Sequence, residues 1–193
     1  MPSETLKAKA NSDRSFSYRS SFDHDKFLQK LRAIFETSPL VSAYKPEHEV
    51  RRMLALIHGK EERKDAGYKV PDGLFQLQTT HKNLRVALEL EITMKSETRY
   101  WKIFRELLTS SDFDVVLFVA ASDKMIEALK AIITDVKAND PVVKGWPTKR
   151  GMYFSTLEKV LTEKEDAVFI GDGPPFSLAS LAKDVSEKPQ GQY

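Results

Sequence analysis

One aspartate and two glutamates between residues 71 and 95 have the spacing of metal ligands. Asp72 precedes a short apolar stretch, and Glu89 and Glu91 alternate with apolar residues in the next stretch. Side chains on a β-strand alternate between its two faces, so Glu89 and Glu91 should share a face with Cα atoms about 6.5 to 7 Å apart. Mg²⁺ prefers oxygen ligands and keeps coordination positions for water and phosphate. The spacing therefore predicts a divalent-metal site formed by Asp72, Glu89 and Glu91.

A β-hairpin is predicted to carry these carboxylates. Residues 68–77 are expected to be extended, 78–83 to form a polar turn, and 84–93 to form the second strand. The face of that strand away from the glutamates is apolar, and its residues are Leu84, Val86, Leu88, Leu90 and Ile92. The alternative to a metal site is a structural hairpin whose glutamates face solvent, which is common in antiparallel sheets.

The segments around the hairpin alternate between helical and strand patterns. Apolar residues with a period of 3.6 predict helices, and the nearly continuous apolar run 113–120 predicts a strand buried on both faces. This alternation predicts an α/β fold in which helices flank a mixed central sheet. The first predicted helix begins at Asp23 or Asp25. Further helices are predicted at 46–59, 94–108, 124–136 and 155–162, and a last strand at 167–170.

Length and composition narrow the class of protein. The 193 residues suit one domain, predicted at 21–183 between a polar tail at 1–20 and a frayed tail at 184–193. The chain has no cysteine, which excludes disulfides, thiolate nucleophiles and thiolate zinc sites. The net charge is +2, with 14 basic against 10 acidic residues in the first 70. Without a long apolar run or a secretory signal, we expect a cytoplasmic protein that does not bind membranes.

The order of elements, with Pro71-Asp72 followed by Glu89-Leu90-Glu91, resembles the PD-(D/E)xK nuclease superfamily over about residues 46–120. The resemblance implies a restriction-endonuclease-like αβββαβ core, Mg²⁺ or Mn²⁺ as the cofactor, and DNA as the substrate of phosphodiester hydrolysis. The superfamily usually has a lysine two positions after the second acid, whereas here Glu91 stands there, as in some restriction endonucleases. Two readings stay open: an active nuclease, and an inactive nuclease-fold module that binds DNA or protein.

The resemblance also suggests further site residues and an assembly. Relatives often add an acid from the helix before the hairpin, and we assign this role to Glu47, with Glu49 as the alternative. A lysine displaced from its usual position is expected at Lys95 or Lys102. Lys95, Arg99 and Lys102 would share one helical face, which for Arg99 favours an exposed surface role. Many such nucleases act as homodimers to cut two strands, so a homodimer is expected.

Four sequence blocks resemble the replication-relaxation family of plasmids and other mobile elements. Relatives usually carry an N-terminal winged-helix DNA-binding domain, and here a short polar tail precedes the first predicted helix. We therefore expect either a truncated relative or a protein that binds DNA without that module. The blocks are FDHDKFLQKLRAIF, KVPDGLFQL, VALELEITMKSETRYWKIFREL and FDVVLFVAAS.

Other combinations are weaker signals. The dipeptide His24-Asp25 lacks the further histidines and aspartates of an HD hydrolase, and is better placed at a helix start. His48 and His58 lack the four-residue spacing of a zinc pair. The segment 146–150 pairs a tryptophan with two basic residues and suits stacking on single-stranded nucleic acid. Its alternative role is a loop tryptophan that covers the edge of the core.

Overall fold

A computed structural model describes residues 22–58, 69–147 and 150–187. Helices and strands alternate along most of this length. The elements are α1 (22–37), β1 (Val41–Pro46), α2 (Glu47–His58), β2 (Gly73–Gln78), β3 (Asn83–Glu91), α3 (Glu97–Thr109), β4 (Val115–Ala120), α4 (Asp123–Asn139), α5 (Pro141–Gly145), β5 (Gly151–Thr156), α6 (Leu157–Glu163), β6 (Ile170–Gly171) and α7 (Leu178–Glu187), with a 3₁₀ turn at Lys164–Asp166.

The six strands form one mixed sheet in the order β1-β2-β3-β4-β5-β6. Strands β1, β2 and β3 pair antiparallel, β3, β4 and β5 pair parallel, and β6 pairs antiparallel with β5. Parallel neighbours need a crossover connection, which α3 provides between β3 and β4. The predicted α/β class with a mixed sheet flanked by helices is confirmed.

Helices cover both faces of the sheet. On one face, α2, α3 and α4 pack against strand residues such as Ala87 and Phe118. On the other face, α1, α6 and α7 pack against residues such as Leu88 and Leu117. The central strands are therefore buried on both sides, which explains the nearly continuous apolar sequence of β4.

Strand β3 has the alternation that its sequence predicts. Val86, Leu88 and Leu90 belong to the core beneath α1, α6 and α7. The intervening residues face α2, α3 and α4, so Glu89 and Glu91 point toward a helix-covered face. Both glutamates are buried, which makes the alternative of a solvent-exposed hairpin face wrong.

Side-chain caps fix where several helices begin. Ser96 Oγ accepts a hydrogen bond from the Arg99 N–H at the start of α3, and Thr156 does the same for the Lys159 N–H at α6. Such caps satisfy backbone donors that have no partner within the helix. Because α3 begins after Ser96, Lys95 precedes the helix and does not continue the helical face of Arg99 and Lys102.

Strands β1 and β5 and the end of α7 depart from the sequence predictions. Residues 38–46 were expected only to interrupt two helices, but 41–46 form edge strand β1, whose register is broken around Ala43 at φ 52°. The helix predicted from Ser155 begins at Leu157, because Ser155 belongs to β5. Helix α7 reaches Glu187, so the predicted tail from 184 begins inside a helix. The tails at 1–20 and 188–193, like Tyr68 and Gly59, lie outside the described residues.

Replacing Leu88 by alanine should cost about 2 to 5 kcal/mol of unfolding free energy, because its fully buried side chain fills the core below the sheet. The matched control is Leu56→Ala, since Leu56 on α2 is 87% exposed. Urea denaturation of both variants and the parent measures the difference. Equal losses for the two leucines would contradict this packing.

Candidate functional site

Asp72 lies where the β2–β3 ladder ends. Gly73 pairs with Leu88, so one step further along the strands Asp72 comes beside Glu89. The Leu90 N–H donates to Asp72 Oδ2 at 2.8 Å. Just before β2 begins, the Asp72 carboxylate therefore serves as the acceptor that a backbone carbonyl provides within the ladder. The next residue, Gly73, has no room for a side chain, because a Cβ there would lie 2.5 Å from the Tyr44 hydroxyl oxygen.

His24 connects α1 to this carboxylate. Its Nε2 lies 3.5 Å from Asp72 Oδ2 and 3.1 Å from the Leu90 carbonyl oxygen. The hydrogen bond to Asp72 raises the pKa of His24, although partial burial acts in the opposite direction. Burial acts to raise the pKa of Asp72, but the bond from His24, the charge of Lys69 and the Leu90 N–H together lower it. Asp72 is therefore held in its charged form.

Glu89 is the most deeply buried carboxylate of the site. Its side chain is 1% exposed, and Oε1 has no hydrogen-bond partner among the described residues. Burial raises the pKa of Glu89 to about 8, and the charges of Asp72 and Glu91 act in the same direction against Lys69. A buried carboxylate oxygen without a hydrogen-bond partner costs free energy of folding. Glu89 Oε1 is therefore the atom of this site best suited to bind a ligand.

Lys69 is the cation that faces Glu89. Its Nζ lies 2.7 Å from Glu89 Oε2 and donates to the Val70 carbonyl oxygen at 3.1 Å. Burial acts to lower the pKa of Lys69, but the charges of Glu89, Asp72 and Glu91 raise it overall. Glu106 on α3 accepts a hydrogen bond from the Lys69 backbone N–H, which ties this segment to the helix. Lys69 therefore acts electrostatically on all three carboxylates.

Glu91 has its own partners at the end of β3. Its Oε1 forms an ion pair with Lys95 Nζ, and its Oε2 accepts a hydrogen bond from the Tyr100 hydroxyl at 3.2 Å. The Glu91 side chain is 3% exposed and that of Lys95 is 28% exposed, so the pair reaches from the core to the surface. Of the two lysines predicted for the site, Lys95 is the one in contact with a carboxylate.

The remaining predicted residues lie at the margin. Glu47 donates its backbone N–H to the Asp72 carbonyl oxygen at 3.0 Å, but its side chain, 44% exposed, pairs with Arg51. Glu49 is exposed near His48. Lys102 is exposed on α3, and its charge acts on Glu106. The structure thus places Asp72 beside Glu89 and pairs Glu91 with Lys95, brings only the backbone of Glu47 to Asp72, and leaves Lys102 outside.

Sequence reasoning missed Lys69 and His24. Lys69 stands three positions before Asp72, a signal that was available, but no rule of spacing connects it to a glutamate 20 positions later. His24 was expected only at a helix start, and its contact with Asp72 spans 48 positions. Both contacts depend on how α1 and the segment before β2 pack against β3.

The donor set suits Mg²⁺ in chemistry, because all three acids offer hard oxygen ligands and Glu89 Oε1 lacks a partner. Within residues 22–58, 69–147 and 150–187, however, no three His, Asp or Glu side chains converge as a metal-binding group. An imidazole or ammonium group also faces one oxygen of each carboxylate: His24 at Asp72, Lys69 at Glu89 and Lys95 at Glu91. A metal ion would therefore compete with the chain's own cations for these ligands.

Comparisons of the chain with protein-family models, with curated proteins and with solved structures found no match. In the described part of the chain, no helix has the length and apolar character needed to span a membrane. The resemblance to nucleases and the DNA partner thus stay expectations from the sequence motifs.

The Glu89→Gln variant should gain stability over the parent as pH rises from about 4.5 to about 8. Over this window the folded parent holds a proton on Glu89 that the unfolded chain releases, so the parent loses stability with increasing pH. The relative gain should exceed about 1.4 kcal/mol, the equivalent of one pKa unit. Urea denaturation in EDTA across this range measures it. Glu163→Gln, at an exposed position, is the control, and parallel curves for parent and Glu89→Gln would contradict the prediction.

Lys69→Met should destabilise the protein by about 3 kcal/mol near pH 9, because it leaves a charged Glu89 without its partner. The loss should shrink in the Glu89→Gln background, where no charge remains to be paired. Denaturant titrations of the four proteins in this double-mutant cycle measure the coupling. Lys102→Met, at an exposed lysine of α3, controls for loss of a positive charge. Additive effects of the two changes would refute the coupling.

Proposed function

We propose that this chain is a metal-dependent nuclease-fold protein that acts on DNA by phosphodiester hydrolysis. The observation that carries the proposal is the buried Glu89 with an unpartnered oxygen, beside Asp72 from the neighbouring strand and Glu91 two residues on. Buried carboxylates without a full set of partners are costly unless they serve a ligand. The biological setting proposed from the sequence blocks is replication, mobilisation or DNA processing of plasmids or other mobile elements.

The strand order supports the finer fold assignment. An antiparallel meander β1-β2-β3 followed by α3 and a parallel β4 agrees with a restriction-endonuclease-like core, with α2 inserted between β1 and β2. In such a core the acids at the start of β2 and the end of β3 meet at one end of the sheet. The positions of Asp72, Glu89 and Glu91 agree with this pattern.

Each residue has a distinct part in the proposed chemistry. Asp72 and Glu89 would hold Mg²⁺ or Mn²⁺, with Glu91 as the third ligand. Such an ion, when bound, activates a water molecule and neutralises charge on the phosphate. Lys95, partly exposed beside Glu91, would contact a phosphate oxygen of the substrate. His24 keeps Asp72 charged and oriented toward β3.

A second candidate is a catalytically inactive nuclease-fold module that binds DNA or protein. The observation that favours it is charge compensation without a metal: His24 faces Asp72, Lys69 faces Glu89, and Lys95 faces Glu91. A site neutralised by its own side chains has no electrostatic need of a divalent ion. In this case DNA binding would be salt-sensitive and would survive loss of Asp72 and Glu91.

The full chain should nick supercoiled DNA or degrade single-stranded DNA in Mg²⁺ or Mn²⁺. Asp72→Asn and Glu89→Gln should each lower the rate at least about 100-fold, because a lost ligand removes several kcal/mol of charge stabilisation in the transition state. The rate of conversion of supercoiled to open-circular DNA on agarose gels measures the effect. Glu163→Gln, at the exposed end of α6, should nick at the parental rate.

Calorimetric titration with Mn²⁺ separates the two candidates. The nuclease proposal expects saturable Mn²⁺ binding that Glu89→Gln abolishes. If the parent neither nicks DNA nor binds Mn²⁺, the hydrolytic function is wrong. Salt-dependent DNA binding that Asp72→Asn and Glu91→Gln leave unchanged would then identify the inactive module.

A further inference from the structure

A concave site lies at the end of the sheet opposite the carboxylates. Its cavity of about 610 Å³ has the size typical of small-molecule sites. It opens beside Gly151, the first residue of β5, which pairs with Val115 at the start of β4. Glu91, in contrast, pairs with Ala120 at the end of β4. The two sites are therefore separated by the length of the parallel strands.

Two aromatic side chains line this cavity. Trp146 follows α5 and is 36% exposed, so part of its indole ring is available for stacking. The ring of Tyr153 is held in place by an edge contact with Phe176 at a centroid distance of 5.0 Å. A Cβ at Gly173 would lie 2.4 Å from the Tyr153 hydroxyl oxygen, so the backbone of Gly173 approaches this residue closely.

The charge of the cavity is positive. Asp172 is the one carboxylate among its described lining residues, and Lys137 Nζ binds both of its oxygens at 2.8 and 2.9 Å. Asp172 Oδ2 also accepts the Met152 N–H. This leaves the positive charges of Lys144, which is exposed on α5, and of Arg150 without a carboxylate partner within the described residues.

Arg150 is the residue that most needs a ligand. It is only 8% exposed, and its Nε donates to the Ser110 carbonyl oxygen at 2.6 Å, which orients the guanidinium group. In the described part of the chain, no ion pair contains Arg150. A buried guanidinium is costly without an anion, and its fork of N–H donors matches a phosphate. Arg150 is thus a preformed anion-binding group in the wall of an aromatic cavity.

We propose that this cavity binds a nucleotide unit, with the base stacked on Trp146 and the phosphate held by Arg150 and Lys144. Stacking on an aromatic ring combined with phosphate contacts is the way in which proteins hold single-stranded nucleic acids. The unit is either a free mononucleotide or a nucleotide of a single strand, since both present a base joined to a phosphate. The site is separate from the carboxylates and does not depend on hydrolytic activity.

Calorimetric titrations of the full chain in EDTA test the proposal with three probes: thymidine 5′-monophosphate, a short 5′-phosphorylated oligothymidylate, and inorganic phosphate. We expect saturable binding of at least one nucleotide probe and weaker binding of phosphate alone. Trp146→Ala should weaken nucleotide binding at least about tenfold, and Lys144→Gln about threefold or more. Lys159→Gln, at an exposed lysine on the other face of the sheet, should bind as the parent does.

The outcomes separate the sources of the ligand. Tight binding of the mononucleotide supports a free nucleotide, whereas binding of the oligonucleotide alone supports a single strand. The proposal is overturned if neither nucleotide probe binds, if phosphate alone binds as tightly, or if both variants bind like the parent. Because Lys144 is exposed, its variant should fold normally, and circular dichroism checks that Trp146→Ala does too. Loss of nuclease activity with intact nucleotide binding would affect only the function proposed for the carboxylates.

Discussion

The burial of carboxylates on a helix-covered strand face is the constraint on which the surrounding structure depends. Glu89 and Glu91 are 1% and 2% exposed, on a sheet face otherwise packed with apolar residues. Charges in such an environment must be paired, protonated or bound to a ligand. Glu91 is paired with Lys95, while Glu89 combines a lysine partner, a raised pKa and one unpartnered oxygen. The cations of the described residues therefore balance the negative charge of these carboxylates only in part.

This compensation ties together elements that are distant in sequence. His24 comes from α1, which packs beneath the sheet, and reaches Asp72 at its end. Lys69 precedes β2, and its backbone is bound by Glu106 of α3. The electrostatics of the carboxylates thus help fix where α1, α3 and β2 meet. The cavity at the other end of the strands contains a buried charge of opposite sign, because Arg150 forms no ion pair there with a carboxylate of the described residues.

The parts of the fold predicted best were those with strong local patterns. The alternation in β3 and the apolar run of β4 correctly predicted two strands, a position of β4 buried on both faces, and a shared face for Glu89 and Glu91. Strand β1 was not predicted, because it is a short edge strand that has an irregular register and ends at Pro46. Helix α2 meets the sheet mainly through Val50 and Leu54, whereas Ile57 on the same helix is 61% exposed.

The sequence by itself determined the α/β class and the shared face of Glu89 and Glu91, because a strand period of two assigns side chains to faces without reference to the rest of the chain. Only the tertiary structure decided which cations face these acids. In the folded chain Lys69 and His24 face the acids, and Lys102 lies at the surface. Ion pairs across 20 to 48 positions depend on how helices pack against the sheet. Packing also buried Arg150 in the wall of an aromatic cavity, which no local pattern could predict.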